Sequence, residues 1–246
     1  MRRTTDGRSR PGHELEPISP ATDGFQAPLG EGTADDSSRI VETGTTTVGV
    51  VGTNGVVLAA DRRASLGGRF VTSKRARKIE PVADRTALTF SGNVGEAQTF
   101  VRQLRSERRL YELRGEGGAS VETIATVAGD LIQQGPYRAL ELVLAGVDDE
   151  PSLYQIGRGG GVMRADYAAS GSGMQLAYGN LEDAYEPDLP VSALREAAAV
   201  AVHSASERDT ASGDGTTLAT ITEDGIDLET FDTPNAAVAA TTEEVA

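Results

Sequence analysis

Two periodicities alternate along this chain, and the order in which they do so restricts the fold more than any other feature. From Thr45 the sequence runs in β-rich segments, Thr45–Val51 and Val56–Ala60, separated by Gly52-Thr53-Asn54-Gly55, whose Asn-Gly pair signals a hairpin turn. A second polar turn around Gly67-Gly68 leads to Phe70-Val71 and on to Ile79, and Thr86–Phe90 reads as a strand ended by Ser91-Gly92. Helical spacing then takes over, with Val94, Ala97, Val101 and Leu104 on one face of a helix predicted to reach Leu113. The glycine-rich run after Arg114 breaks it, and Ser120 is placed to cap a second helix that turns Ile124, Val127 and Leu131 inward. Ala139–Gly146 and Ser152–Ile156 read as strands, and Val162–Ala169 as a further strand region. Helices are predicted over Gln175–Tyr185 and, after Pro190, over Val191–Ser206. Thr216–Thr222 and Ile226–Thr230 close as a hairpin over Glu223-Asp224-Gly225, and the tail from about Asn235 to Ala246 reads as frayed. Strands, two helices, strands, two helices, strands: the order predicts an α+β domain with two sheets packed face to face between helical layers.

Residues 1–44 behave differently. They hold Pro11, Pro17, Pro20 and Pro28 among Gly, Ser, Thr and Asp, with little apolar content and no periodicity. Such a segment cannot offset its ordering entropy and is expected to be a leader outside the folded domain. No apolar run approaches the ~18 residues of a membrane span, and the N-terminus lacks the apolar segment of a signal peptide. The chain has no cysteine, which removes disulfides, thiol nucleophiles and cysteine metal sites. A cytoplasmic location is the expectation. The net charge of −14 argues against nucleic acid as a partner, because phosphates demand a basic surface. Lysine occurs only at Lys74 and Lys78, so arginine supplies the rest of the 23 basic residues. GC-rich codon bias accounts for arginine over lysine but less well for the acid excess. A salt-loaded cytoplasm, where counterions screen surplus negative charge, accounts for both.

Several chemistries lack their parts. His13 sits in the leader and His203 in the last long helix, with no zinc spacing between them, and no cofactor or metal is implied. There is no G-x-S-x-G nucleophile elbow. Gly157-Arg158-Gly159-Gly160-Gly161 does not complete a dinucleotide fingerprint and reads as a turn between strands. The junction Gly44-Thr45-Thr46-Thr47-Val48-Gly49 remains. A threonine hydroxyl inside a chain is a poor nucleophile. Cleavage after Gly44 would give Thr45 a free α-amine that titrates at about 7.7–8.0, a general base beside its own hydroxyl. Taken alone the run is an ordinary Thr-rich strand.

Six motifs in order change that reading. Gly44-Thr45-Thr46-Thr47-Val48-Gly49, Ala59-Ala60-Asp61-Arg62-Arg63-Ala64-Ser65, Lys78, Ser91-Gly92-Asn93-Val94-Gly95, Gly171-Ser172-Gly173 and Arg208-Asp209-Thr210-Ala211-Ser212-Gly213 resemble the β subunits of the proteasome core particle, from Gly44 to about Thr230. The resemblance implies an N-terminal-nucleophile hydrolase fold, a four-layer αββα sandwich. It implies a precursor cut between Gly44 and Thr45, with residues 1–44 a propeptide and 45–246 the catalytic domain. Carried over residue by residue, Thr45 is the nucleophile, Asp61 and Lys78 the buried acid and lysine beside it, and Ser172, Asp209 and Ser212 the polar shell around its amine. Gly92 carries the backbone N–H facing the substrate oxyanion. Ala64, Ala76, Phe90 and Val94 line the pocket for the residue before the cut bond, with no charged residue among them, so apolar residues are the expected preference. The implied activity is threonine endopeptidase cleavage of unfolded polypeptides inside stacked heptameric rings of β subunits. Rings of α subunits flank these, and a regulatory ATPase feeds them.

The chain departs from the family pattern in places. The loop between Arg63 and Lys78 is one residue longer around Gly67-Gly68, which leaves Arg77 in competition with Lys78 for the lysine's place. Met174 follows Gly173 where a serine is common, and Phe90 takes a position usually aliphatic. The alternatives are a non-catalytic structural β subunit, which typically loses the threonine or the lysine, an α subunit, and the two-ring bacterial relative.

Overall fold

The structure, a computed structural model, describes residues 44–66, 68–115, 117–137 and 139–245. The leader expected over residues 1–44 lies, Gly44 apart, outside the described residues, as does His13. The first half of the domain contains β1 (Thr47–Val51), β2 (Val56–Asp61), β3 (Ala64–Leu66), β4 (Phe70–Ser73), β5 (Ile79–Ala83), β6 (Thr86–Ser91), α1 (Val94–Leu113) and α2 (Val121–Gln134). The second half contains β7 (Glu141–Val147), β8 (Pro151–Ile156), β9 (Val162–Arg164), β10 (Tyr167–Ser170), α3 (Met174–Ala184), α4 (Val191–Ser206), β11 (Thr216–Thr222), β12 (Gly225–Phe231) and α5 (Pro234–Val245).

The strands form two five-stranded antiparallel sheets and a separate β3–β4 hairpin. The first sheet has the order β10-β1-β2-β11-β12 and the second the order β5-β6-β7-β8-β9. Their facing sides make one apolar layer, in which Val56, Leu58 and Ile221 of the first sheet meet Ile79, Val143 and Leu153 of the second. On its outer side the second sheet packs against α1 and α2 through Leu88, Leu142, Phe100, Leu104 and Ile124. The first sheet packs against α3 and α4 through Val48, Val50, Leu181, Leu194 and Val202. Strand residues alternate between these layers because successive side chains point to opposite faces. The result is the αββα sandwich. α2 begins at the cap read from the sequence, Ser120, which accepts from the Thr123 N–H, and α1 is capped by Asn93, which accepts from the Gly95 and Glu96 N–H groups.

Two expectations need correction. The strand region read over Val162–Ala169 is two strands in different sheets, β9 pairing with β8 and β10 with β1. The chain changes sheet within one peptide unit, since the Ala165 N–H still donates to Leu153 of the second sheet while the Asp166 carbonyl accepts from Val51 of the first. Both halves are β-formers, so periodicity carried no sign of the crossing. The tail from about Asn235, expected to fray, is helix α5. Thr233 Oγ1 accepts from the Ala236 N–H at its start, and Pro234 precedes no required donor. Its buried stripe is Ala237 and Thr241, too weakly apolar to show in the sequence. Anchoring comes instead from Arg195 of α4, which bonds Glu244 of α5 at 2.8 Å and also engages Glu229 and Thr220.

Candidate active site

The centre of the site is a buried ion pair at the edge of the inter-sheet layer. Asp61, the last residue of β2, is fully buried, and Lys78, just before β5, is 2% exposed. Lys78 Nζ donates to Asp61 Oδ1 at 2.6 Å. The same oxygen accepts from the Thr46 N–H at 2.9 Å, and Oδ2 accepts from the N–H groups of Arg63 at 3.0 Å and Gly213 at 2.9 Å. Four donors on one carboxylate are what a buried charge requires, since an unpaired one costs several kcal/mol. Burial pushes the Lys78 ammonium below the ordinary lysine range, while Asp61 beside it pulls the other way. Arg77, the competitor for this place, points outward to Glu80 at 3.2 Å with a side chain 59% exposed. The longer loop is therefore absorbed before Lys78, and the lysine sits where the resemblance placed it.

Thr45 is buried two residues before β1 and next to Thr46, whose N–H donates to Asp61. Its Oγ1 donates to the Gly44 carbonyl oxygen at 2.8 Å, so the hydroxyl lies against the peptide bond that processing would cut. Its N–H donates to Ser172 Oγ at 3.1 Å, and its carbonyl accepts from the Gly173 N–H at 3.3 Å. Ser172 and Ser212 both donate to Asp209 Oδ2, at 2.5 and 2.6 Å. Because the single proton of Ser212 is committed to Asp209, Thr46 must be the donor in its 2.7 Å contact with Ser212. The predicted shell of Ser172, Asp209 and Ser212 is thus one connected network around the Thr45 backbone nitrogen. Gly44 fits closely: a Cβ there would lie 1.7 Å from the Ala211 Cβ.

Gly92 follows β6 directly with φ of +116°, and a Cβ there would meet the Ala139 carbonyl oxygen at 2.1 Å. Only glycine satisfies both conditions. Gly92 and Gly44 share the lining of one cavity, of about 450 Å³, with Ser172 and Asp209.

A second cavity, of about 440 Å³, is lined by Ala64, Ala76, Phe90 and Val94, the four expected pocket residues. The expectation that no charged group faces it is wrong. Arg75, Arg77 and Glu80 line it as well, and Glu80 bonds both Arg77 and, at 3.0 Å, Arg105 of α1. Glu80 lies on the strand face opposite Ile79, which fills the inter-sheet layer, so the alternation that buries one aims the other at the cavity.

Sequence reasoning also passed over residues that hold the site together. Thr46 supplies both an N–H to Asp61 and a hydroxyl to Ser212. Arg63 donates to Asp214 at 2.8 Å and to the Thr210 carbonyl at 2.9 Å, tying down the loop after Asp209. In that loop Asp214 has φ of 59°. A signal was present, since aspartate tolerates the left-handed region, and Gly213-Asp214-Gly215 follows the Asp209 motif directly. His203, inside α4, takes no part among the described contacts of the site.

Comparison with known proteins places these residues in context. A family model described as "Proteasome subunit" matches residues 41–221. A "Proteasome subunit beta" of Halorhabdus utahensis is 50% identical over 214 residues, covering 86% of this chain and 92% of that protein. Two relatives from Haloarcula marismortui, "Proteasome subunit beta 1" and "Proteasome subunit beta 2", are 46% and 43% identical. They cover 83% and 88% of this chain, and 85% and 96% of their own lengths.

Proposed function

This chain belongs to the proteasome subunit family, and on that premise we propose that it is a catalytic β subunit, a threonine endopeptidase made as a precursor and activated by cutting Gly44–Thr45. The observation that carries the reading is that the Asp61–Lys78 pair holds the Thr46 N–H while the Ser172–Asp209–Ser212 network holds the N–H of Thr45 beside it. A structural subunit has no use for a buried lysine paired to the carboxylate that holds Thr46, next to an intact Gly-Thr junction, which is the argument against that alternative.

The chemistry follows from the contacts. Thr45 Oγ1, already against the Gly44 carbonyl, attacks its carbon, and the bond to the Thr45 nitrogen breaks as an ester to the hydroxyl forms. Water then hydrolyses the ester, releasing Gly44 as a carboxylate and Thr45 with a free amine. In peptide hydrolysis the amine takes the hydroxyl proton as Oγ1 attacks the scissile carbonyl, then passes it to the leaving nitrogen. Water hydrolyses the resulting ester, releasing a carboxylate and freeing Thr45. Lys78 lowers the cost of the developing alkoxide, and the Gly92 N–H receives the oxyanion. Ser172 and Asp209 keep the amine in place.

The cavity beside Ala64 and Phe90 receives the residue before the cut bond. Its inner wall is apolar, and Glu80 has arginines for partners, so apolar side chains suit it. The Arg75 and Arg77 guanidiniums give an acidic tip a partner and repel a basic one. The working form is a heptameric ring of β subunits stacked on a second and flanked by rings of α subunits, in the cytoplasm, supplied with unfolded chains by an ATPase. The test is Thr45→Ala: an assembled, uncut and inactive subunit is expected. Peptidase activity surviving that change assigns the nucleophile elsewhere.

A further inference from the structure

The two halves of the candidate site stand on different sheets. The oxyanion glycine, Gly92, follows the end of β6 in the second sheet, and the Gly171–Gly173 turn that holds the Thr45 backbone follows the end of β10 in the first. Each strand end is succeeded at once by a glycine of positive φ, +116° at Gly92 and +95° at Gly171. Catalysis by an oriented N–H requires the distance between these halves to be fixed to within about 0.5 Å. Besides the Asp61–Lys78 pair, the layer between the sheets is packed mainly with aliphatic side chains, which resist compression but give no directional hold.

At this edge the packing gives way to a polar link. Ser91 and Ser170, the residues immediately before Gly92 and Gly171, are 5% and 0% exposed, and their hydroxyls lie 2.7 Å apart. Ser170 Oγ donates to Glu141 Oε2 at 2.9 Å, so Ser91 is the donor to Ser170. Glu141 stands opposite Ser91 in the β6–β7 register, and its other oxygen accepts from Arg158 Nε at 2.9 Å. The link therefore starts on the second sheet at Ser91, touches the first sheet at Ser170 and returns to the second at Glu141. Ser170 is gripped from both sides.

We propose that Ser91, Ser170 and Glu141 are positioning residues that fix the Gly92 N–H against the Thr45 nucleophile by clamping the end of β10 to the ends of β6 and β7. The clamp touches no reacting atom. It acts through the one peptide bond that joins Ser91 to the oxyanion N–H of Gly92, and through Gly171, which alone separates Ser170 from the Ser172 hydroxyl on Thr45. The inference rests on the reading of Thr45 as nucleophile and Gly92 as oxyanion donor.

The experiment is steady-state hydrolysis of a short fluorogenic peptide by assembled particles carrying Ser91→Ala, Ser170→Ala, both together, or Ser170→Thr. Misplacement by a fraction of an ångström is expected to lower kcat roughly ten- to a hundredfold, with KM within about twofold of wild type. The double variant should be no slower than Ser170→Ala, because that change alone already removes both contacts of the link. Ser170→Thr, which keeps the hydroxyl, should recover most of kcat. An unchanged kcat in Ser91→Ala, a loss carried by KM, or additive losses in the double variant would each overturn the clamp. If Ser170→Ala does not assemble, Ser91→Ala decides alone, since it leaves the Ser170–Glu141 bond in place. Thr45→Ala in the same series separates the two readings. Activity there defeats the assignment of the nucleophile, whereas an inactive Thr45→Ala beside a fully active Ser91→Ala defeats only the clamp.

Discussion

Replacing Asp61 by asparagine keeps size and shape while removing the charge, and the structure says how the new amide would be received. Oδ1 faces Lys78 Nζ and the Thr46 N–H; Oδ2 faces the N–H groups of Arg63 and Gly213. Whichever way the amide turns, its NH₂ meets two donors, so no flip satisfies it. Lys78, 2% exposed, is left as a buried ammonium without its carboxylate. Breaking a buried pair in this way costs about 3–5 kcal/mol. Loss of the lysine proton sets a ceiling on the penalty. Taking a lysine from its reference value of about 10.4 to neutral at pH 7.5 costs about 1.4 kcal/mol per pH unit, roughly 4 kcal/mol in all. The sign of the pH dependence follows. Burial lowers the Lys78 value and Asp61 raises it, so in the variant Lys78 is depressed further than in wild type. It then binds fewer protons folded than unfolded, and the variant gains stability relative to wild type as pH rises towards the unfolded lysine value. The deficit should shrink by up to about 1.4 kcal/mol between pH 7.5 and 8.5. For a domain of this size the deficit at pH 7.5 corresponds to a fall in Tm of roughly 6–20 °C. Lys78→Met should cost less, because Asp61 keeps three backbone donors. Thermal unfolding of Thr45→Ala precursors carrying each change, in concentrated salt at both pH values, measures all of this. A deficit below about 1 kcal/mol for Asp61→Asn, or a larger one for Lys78→Met, would refute the account of the pair.

Further outcomes are expected. Lys78→Ala should lower both self-cleavage and peptide hydrolysis by orders of magnitude, whereas Arg77→Ala should leave hydrolysis of an apolar peptide near wild type; rates of N-terminal processing and peptide turnover decide, and the reverse pattern would move the lysine's role to Arg77. In a panel of peptides differing only in the residue before the cut, those ending in arginine should be cut slowest, and Phe90→Ile should shift the preference towards larger side chains by a factor worth about 1–3 kcal/mol. An unchanged ranking would remove Phe90 from the pocket wall. With a net charge of −14 per precursor, rings should dissociate in dilute buffer and re-form in molar salt, where the Debye length is about 3 Å; gel filtration showing full assembly at low ionic strength would contradict the screening argument.

Much of this architecture could be read from the chain because its signals are local. Asn93 and Ser120 cap their helices by contacts within three residues, and the β11–β12 hairpin closes over Glu223-Asp224-Gly225 in register. The site residues are named through the family resemblance, which six short motifs in the right order carry and no single run does. What escaped was non-local. The change of sheet between Ala165 and Asp166 depends on which strands wait on either side, not on the residues that make it. The docking of α5 depends on Arg195, about forty residues earlier in the chain. The charged wall of the second cavity escaped because a list of pocket positions taken from the family records which residues match, and Glu80 enters through strand alternation instead. Ser91, Ser170 and Glu141 belong to three separate strands, so only the packed sheets bring them together.

The central claim is that Thr45 is freed and then acts through its own amine. Intact-mass and N-terminal analysis of the assembled, active subunit tests it most directly. The account predicts a chain beginning at Thr45 in the wild type and an uncut chain, still joined at Gly44–Thr45, in Thr45→Ala. An active particle whose subunit retains Gly44, or begins at any other residue, would contradict it.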